Sequence, residues 1–383
     1  MTAEARAAAS HRLPATPAVP PVYYPVRFAD VAGALMGHRG PAIRGTFVAT
    51  GTEALKTALQ SLGEVERLEP GCGVVVPDFI CNNVAAAVMA AGMTPVYCPL
   101  SPRSWFYDLE PLRSAVASGA RVATVVSYFG HPPDLSGSAL ESAKAALKPC
   151  LVVADAAQAF GPDLATWLWA DADLTIFSFG PGKSMPLNWG GLVTARSQAH
   201  AQWLDDRPRS RGAMASTLNL LAAYAQSLLL NPRIWGLLPL VGNARRAPAL
   251  NRAGRPLAWP ATTYLTLALS RLGAEIDDRR RLAAAAAAAL RAVPSVHLPS
   301  ARCIERGVAL RLPVVFTDPD AAQSVRAALR VERIVKGPNQ WDDYAHASEN
   351  AAAISGRLVT LPTFPAAQGA LDRAVGVILR CCA

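Results

Sequence analysis

Between residues 71 and 195, short β-branched runs alternate with stretches rich in small residues. Residues 74–77, 94–98, 122–126 and 151–154 read as strands, and 82–91, 108–117 and 136–147 as the helices between them. The strands are apolar along their whole length instead of alternating with polar residues. That is the pattern of a parallel sheet covered by helices on both faces. Residues 174–177 and 191–194 extend the same sheet. The expectation is an α/β fold: a large domain with a mainly parallel sheet covered by helices, then a smaller α/β C-terminal domain.

At 383 residues the chain exceeds what one core usually holds. After Arg196 the sequence becomes Arg-, Pro- and Leu-rich, with an alanine-dense helix over 281–291, a strand over 308–315 and a closing helix over 372–380. The expected division is a flexible arm at 1–21, a large domain at 22–257 and a small domain at 258–383. Hydrophobic residues are 51% of the chain and charged residues 17%, which excludes a disordered or acidic-tail protein. The net charge of +9 suits an anionic partner, but no nucleic-acid-binding motif accompanies it, so nucleic acid is not expected. Seven irregularly spaced cysteines do not read as a disulfide framework and point to a reducing cytosol. The N-terminal arm lacks the uninterrupted apolar core of a secretory signal.

Four segments carry chemistry. In TGTEALKTAL (50–59), Gly51 and Thr52 open a helix whose free backbone N–H groups suit a phosphate, although Gly-Thr is also an ordinary helix start. In VVADAAQAFG (152–161), an apolar strand ends at Asp155, where open α/β sheets bind ligands; a helix cap is the plainer role for that carboxylate. In TIFSFGPGKSM (175–185), a strand runs into a Gly/Pro turn that presents Lys183, either to a site or to solvent. In WGGLVTA (189–195), a glycine pair lets the backbone approach something closely before the next strand.

Together and in this order, the segments resemble the DegT/DnrJ/EryC1/StrS family of pyridoxal phosphate (PLP) enzymes, within the fold-type-I aspartate aminotransferase superfamily. The likeness covers residues 45–195, with a Ser-Phe-x-x-x-Lys stretch in SFGPGK after Asp-x-Ala-Gln in DAAQ, and returns in LPTFPAAQGALDRAVGVIL. It implies a homodimeric aminotransferase that moves an amino group, from L-glutamate by expectation, to a keto sugar on a nucleotide diphosphate. Two other readings stand beside it: a PLP enzyme acting on another keto or amino substrate, lipid-linked or from natural-product synthesis, and a degenerate member that binds without turnover. The resemblance implies that Lys183 joins covalently to PLP and, once released as a neutral amine, shuttles the proton. It implies that Asp155 keeps the pyridine nitrogen protonated, that Gln158 lies against the ring or its phenolic oxygen, and that Gly51, Thr52 and Ser178 bind the phosphate. Glu53 and Cys81 complete the implied cofactor-binding set, and no metal belongs to it. Lysine at 183 favours transamination over the dehydration carried out by the family's histidine-bearing members.

The chain also departs from that pattern. Cys81, in PDFICNN, stands where the family places an aromatic residue to stack on the cofactor. The segment through which a partner subunit reaches the phosphate is not recognisable, Asn243 and Asn251 being its nearest remnants. His131 in SYFGHPPDL reads as a structural residue. The apolar stretch 213–242 is an expected helical insertion, broken at Asn231 and Pro232 and so unsuited to spanning a bilayer. Packing in a dimer or interdomain interface is its leading reading. Peripheral contact with an anionic membrane, through Arg207, Arg209, Arg211, Arg245 and Arg246, is the second.

Overall fold

The computed structural model describes residues 24, 26–36, 45–161, 171–185, 187, 189–206, 213–229, 260–332, 334, 344 and 347–382. The proposed arm at 1–21, residues 230–242 of the apolar stretch, its five flanking arginines, Asn243 and Asn251, and the expected boundary at 257/258 lie outside the described residues.

Helix α1 (Phe28–Leu35) precedes a short strand, β1 (Thr46–Val48), and the 15-residue helix α2 (Gly51–Val65). Then come β2 (Gly73–Pro77), α3 (Asn82–Ala90), β3 (Thr94–Cys98), α4 (Leu109–Ala117), β4 (Ala120–Val126), α5 (Gly137–Leu147), β5 (Leu151–Asp155), β6 (Leu174–Ser178) and β7 (Gly191–Ala195). The expected strands and helices of this stretch are all present, within a few residues of their predicted ends. They form one seven-stranded sheet in the order β1-β7-β6-β5-β4-β2-β3. The pairs from β3 to β6 are parallel, while β7 runs antiparallel to both β6 and β1. The chain leaves β2 to one side for β3 and returns to the other for β4, so the order reverses beside β2. In open α/β sheets a crevice forms at such a point, outside the strands' carboxyl ends.

Helix α6 (Gln198–Asp205) follows the sheet, and α7 (Ala213–Leu229) accounts for the described part of the expected insertion. Helix α8 (Ala261–Leu290) is 30 residues long and serves two cores. Its first half (Tyr264, Leu265, Ala268, Leu272, Ile276) packs with Val31 of α1 and with Phe160, Phe177 and Phe179 below the large sheet. Its second half (Leu282, Ala283, Ala286, Ala287, Leu290) packs on a small antiparallel sheet. That sheet joins β8 (Val296–His297), β9 (Arg311–Phe316) and β10 (Leu358–Pro362), backed by α10 (Pro319–Val331) and α12 (Gln368–Cys382), with α9 (Ala301–Arg306) and α11 (Glu349–Arg357) at its ends. The strand expected from residue 308 starts at Arg311 instead. Ala309 has φ 47°, a left-handed conformation that cannot continue a strand. All seven cysteines are free. No helix among the described residues is long and apolar enough to cross a membrane.

Candidate active site

The strand ends β2, β4, β5 and β6 converge on one cavity of about 320 Å³. Ile80 and Cys81 reach it from the turn after β2, Asn83 from the first turn of α3, and Ser127 and Tyr128 from beyond β4. Asp155, Ala157 and Gln158 come from the end of β5, and Ser178, Gly180, Pro181 and Lys183 from the end of β6. Thr50, Gly51 and Thr52, at the start of α2, line it as well. Of the sequence-predicted set, Lys183, Asp155, Gln158, Ser178, Gly51, Thr52 and Cys81 therefore share one cavity. Glu53 does not line it. Its backbone N–H donates to Thr50 Oγ1 at 3.0 Å, and its carboxylate pairs with Lys56 at 3.4 Å.

Thr50 caps α2, leaving the first N–H groups of that helix without intrahelical acceptors beside Ser178. The approach is close: a Cβ on Gly51 would stand 2.5 Å from Ser178 Cβ and 2.6 Å from its hydroxyl. The glycine pair before β7 has the role its sequence suggests. Gly190 N–H donates to Ala49 O at 2.7 Å, and a Cβ on Gly191 would fall 2.4 Å from Thr50 O. The loop from Phe179 to Gly190 is drawn shut by Leu187 N–H to Phe179 O (2.7 Å) and Phe179 N–H to Gly190 O (3.0 Å). Next to the lysine, Ser184 Oγ donates to Phe160 O at 3.0 Å, fixing the turn that carries Lys183.

Asp155 is 6% exposed, and its Oδ1 accepts from Ala157 N–H at 3.0 Å. Burial raises its carboxyl above the ordinary range, opposed by that N–H and by the Lys183 charge. Lys183 is half-buried, and lost hydration pushes its ammonium down; Asp155 and then Cys81 oppose the shift, while Arg311 adds to it. Perturbed groups of opposite charge, facing one cavity, are the usual mark of a reactive site. Gln158 Oε1 accepts from Phe129 N–H at 3.1 Å, which leaves the side-chain amide N–H groups as its remaining donors in the cavity wall. Phe129 itself has φ 56°.

Three aromatic residues that sequence reasoning did not place in the site also line the cavity: Tyr128, Trp189 and Tyr344. Tyr128 follows a parallel strand end, the same position rule that picked out Asp155. Tyr344 has no local signal, and among the described residues it is the one lining residue from beyond residue 190. Its ring lies 5.5 Å from that of Phe79. Beside Phe79, the buried Asp78 carboxylate accepts four hydrogen bonds. Phe79 N–H (2.8 Å) and Leu100 N–H (3.0 Å) go to Oδ1, and Ser348 Oγ (2.6 Å) and Asn350 Nδ2 (3.0 Å) to Oδ2. His131 lies away from the cavity: its Nε2–H donates to Arg311 O at 2.9 Å, tying the loop after β4 to the small sheet.

The DegT/DnrJ/EryC1/StrS aminotransferase family profile matches residues 28–206. UDP-N-acetyl-3-dehydro-alpha-D-glucosamine 3-aminotransferase of Acidithiobacillus ferrooxidans is 28% identical over 183 residues, covering 44% of this chain and 48% of that protein. UDP-2-acetamido-2-deoxy-3-oxo-D-glucuronate aminotransferase of Pseudomonas aeruginosa is 31% identical over 113 residues, 30% of each chain. The chain thus spans about half the length, or less, of these curated relatives. In fold the likeness is nearly complete. S. venezuelae DesV superposes with a TM-score of 0.63 at 19% identity, over 92% of this chain and 93% of its own. A family aminotransferase from Brucella abortus gives 0.61 at 20% identity, over 92% and 94%. The segment that matches the DegT/DnrJ/EryC1/StrS aminotransferase family holds the large sheet and every described cavity residue but Tyr344.

Proposed function

We propose that this chain is a PLP-dependent aminotransferase that transfers an amino group from L-glutamate to a keto sugar carried on a nucleotide diphosphate, working as a homodimer. The observation that carries the reading is that Lys183 and Asp155 line one cavity together with Gly51 and Ser178, whose backbone and side chain meet closely. Those residues fit the cofactor. A buried carboxylate suits a cationic ring nitrogen, and a capped helix start against a serine suits a phosphate. The donor left on Gln158 suits a phenolate oxygen. When bound, PLP supplies a carbonyl that condenses with amines and a ring that withdraws electrons from the substrate carbon.

The protein's share of the chemistry follows from its side chains. Asp155 would hold the proton at the ring nitrogen, the Lys183 charge opposing the burial that raises its pKa. Gly51 N–H, Thr52 N–H and the Ser178 hydroxyl would hold the phosphate. Burial lowers the Lys183 pKa and so favours the neutral amine, whose Nζ would take a proton from the substrate carbon and return it elsewhere. Trp189, Tyr128 and Tyr344 wall the cavity in which that transfer would take place.

Purified protein should be yellow and bleach on adding glutamate. Borohydride treatment followed by peptide mapping should find the reduced cofactor on Lys183, and Lys183→Ala should fold, retain weak cofactor binding and resist this labelling. Nitrogen-labelled glutamate offered with a set of keto-sugar nucleotides identifies the acceptor by mass. Reduced cofactor on Lys56 instead, or a colourless protein that takes up no PLP, would refute the assignment.

A further inference from the structure

Among the described residues, four other than glycine hold a left-handed backbone: Arg67, Trp105, Phe129 and Ala309. The last three gather at one place. Trp105 packs edge-on against the Phe129 ring, with centroids 5.0 Å apart. Ala309 belongs to the small-domain segment 308–310, which lies against the residue after Phe129. There Val308 N–H donates to Gly130 O at 2.6 Å, and a Cβ on Gly130 would stand 2.9 Å from Leu310 N and 3.0 Å from Gln158 O. The fit is as close just before that segment, where a Cβ on Gly307 would fall 2.7 Å from Gly130 O and 2.9 Å from His131 Nδ1. Thr363, fully buried, holds the segment in place through Oγ1 donating to Ala309 O at 2.5 Å. Left-handed backbone in a phenylalanine persists where surrounding contacts impose it, and these contacts are the constraint on Phe129.

What the constraint secures is a direction. At φ 56° and ψ 19°, Phe129 N–H donates to Gln158 Oε1 at 3.1 Å. A backbone N–H can face only the oxygen end of a side-chain amide, so Gln158 is held in one of its two flips, with its Nε2 hydrogens left for other acceptors. Gln158 lines the cavity, while Phe129, Gly130 and segment 308–310 stand behind it. We propose that segment 308–310 of the small domain positions Gln158 as an obligate donor: it locks the 128–130 turn in its left-handed form, and the turn fixes the amide flip, so that the cavity is offered N–H and not C=O. On the cofactor reading proposed above, on which this rests, the donor meets the phenolic oxygen of PLP. In the reversed flip a carbonyl would face that anionic oxygen and repel it. A donor there spreads the phenolate charge and weakens its hold on a neighbouring proton, so the visible band of the bound cofactor should change with pH at a lower value than without it.

The test is a pH titration of the visible band in the full-length, PLP-loaded chain, together with amide hydrogen exchange at Phe129 in the cofactor-free chain. Gly307→Ala leaves an ordinary backbone conformation, φ −92° and ψ 176°, but drives a methyl group against Gly130 and His131. Thr363→Val removes the bond that holds Ala309 and adds no bulk. Both should raise the pH midpoint by about 0.5 unit or more, in the direction of Gln158→Leu, and speed exchange at Phe129 by about tenfold or more. Gln158→Glu separates the two steps. Its carboxylate still accepts from Phe129 N–H, so exchange stays slow, but it has no donor to offer, so the midpoint rises at least as far as in Gln158→Leu. An unmoved midpoint in Gly307→Ala and Thr363→Val, both folded by circular dichroism, overturns the proposal, as does a Phe129 amide that exchanges as slowly with leucine at 158 as with glutamine. If the wild type takes up no PLP, the cofactor reading fails by itself. The exchange rates then decide the positioning: faster exchange at Phe129 in Gly307→Ala and Thr363→Val upholds it, and unchanged exchange overturns it.

Discussion

A Cβ added to Gly51 would lie 2.5 Å from Ser178 Cβ, so the start of α2 and the end of β6 meet more closely than any side chain at position 51 permits. Alanine at a helix start is otherwise harmless or mildly stabilising. Gly51→Ala is expected to push the two elements apart and weaken PLP binding by about tenfold or more, roughly 1.4 kcal/mol, while unfolding stability changes little. Titration of cofactor absorbance checks this. An unchanged dissociation constant would show that the junction does not hold the phosphate.

Asp155→Asn keeps the shape of the side chain and its acceptor for Ala157 N–H but removes the charge facing Lys183. The half-reaction with glutamate should slow by at least about a hundredfold, roughly 2.7 kcal/mol of transition-state stabilisation. Cofactor affinity should fall by less. Stopped-flow absorbance separates the two effects, and near wild-type rates would reduce Asp155 to a turn residue.

Asp78 ties the end of β2 to the N-terminus of α11, four residues after Tyr344. In Asp78→Asn the new amide N–H groups face the donors of Ser348 and Asn350. A loss of about 2–3 kcal/mol in urea unfolding is expected, against about 1 kcal/mol for Ser348→Ala, which removes one donor and one helix cap. Because Tyr344 walls the cavity, Asp78→Asn should also raise the acceptor KM more than it lowers kcat.

His131 is buried against Arg311 O, and burial lowers its pKa below the ordinary 6.5. The unfolded chain therefore binds a proton that the folded chain resists. Stability from this group is intact above pH 6.5 and declines as pH falls from there through the lowered folded value. His131→Gln, which can still donate to Arg311 O, should flatten this part of the stability profile. Chemical unfolding at a series of pH values measures it, and parallel wild-type and variant curves would count against the assignment.

Much of the large domain was legible in the chain because its information is local. A parallel strand buried on both faces is apolar throughout, and its last residue points to the crevice, so Asp155 could be picked out by position, whereas Lys183 stood on the turn after the next strand and Ser178 followed from the family resemblance. Strand β1 escaped notice since three residues show no periodicity, and only its pairing with β7 defines it. Tyr344 and the Asp78 junction were illegible for another reason. The bond from Ser348 to Asp78 spans 270 positions, and nothing near either residue announces the other. Glu53 looked like part of a phosphate loop, yet at the third position of its helix it serves the cap and a local ion pair.

Helix α8 has a consequence for how the protein comes apart. Its two halves complete different cores, so neither core can lose its share of the helix without fraying the other's. Heating should therefore produce one cooperative transition instead of two. Under native conditions, amide hydrogens on both halves of the helix should exchange with solvent at closely similar, slow rates, as members of a single unfolding unit.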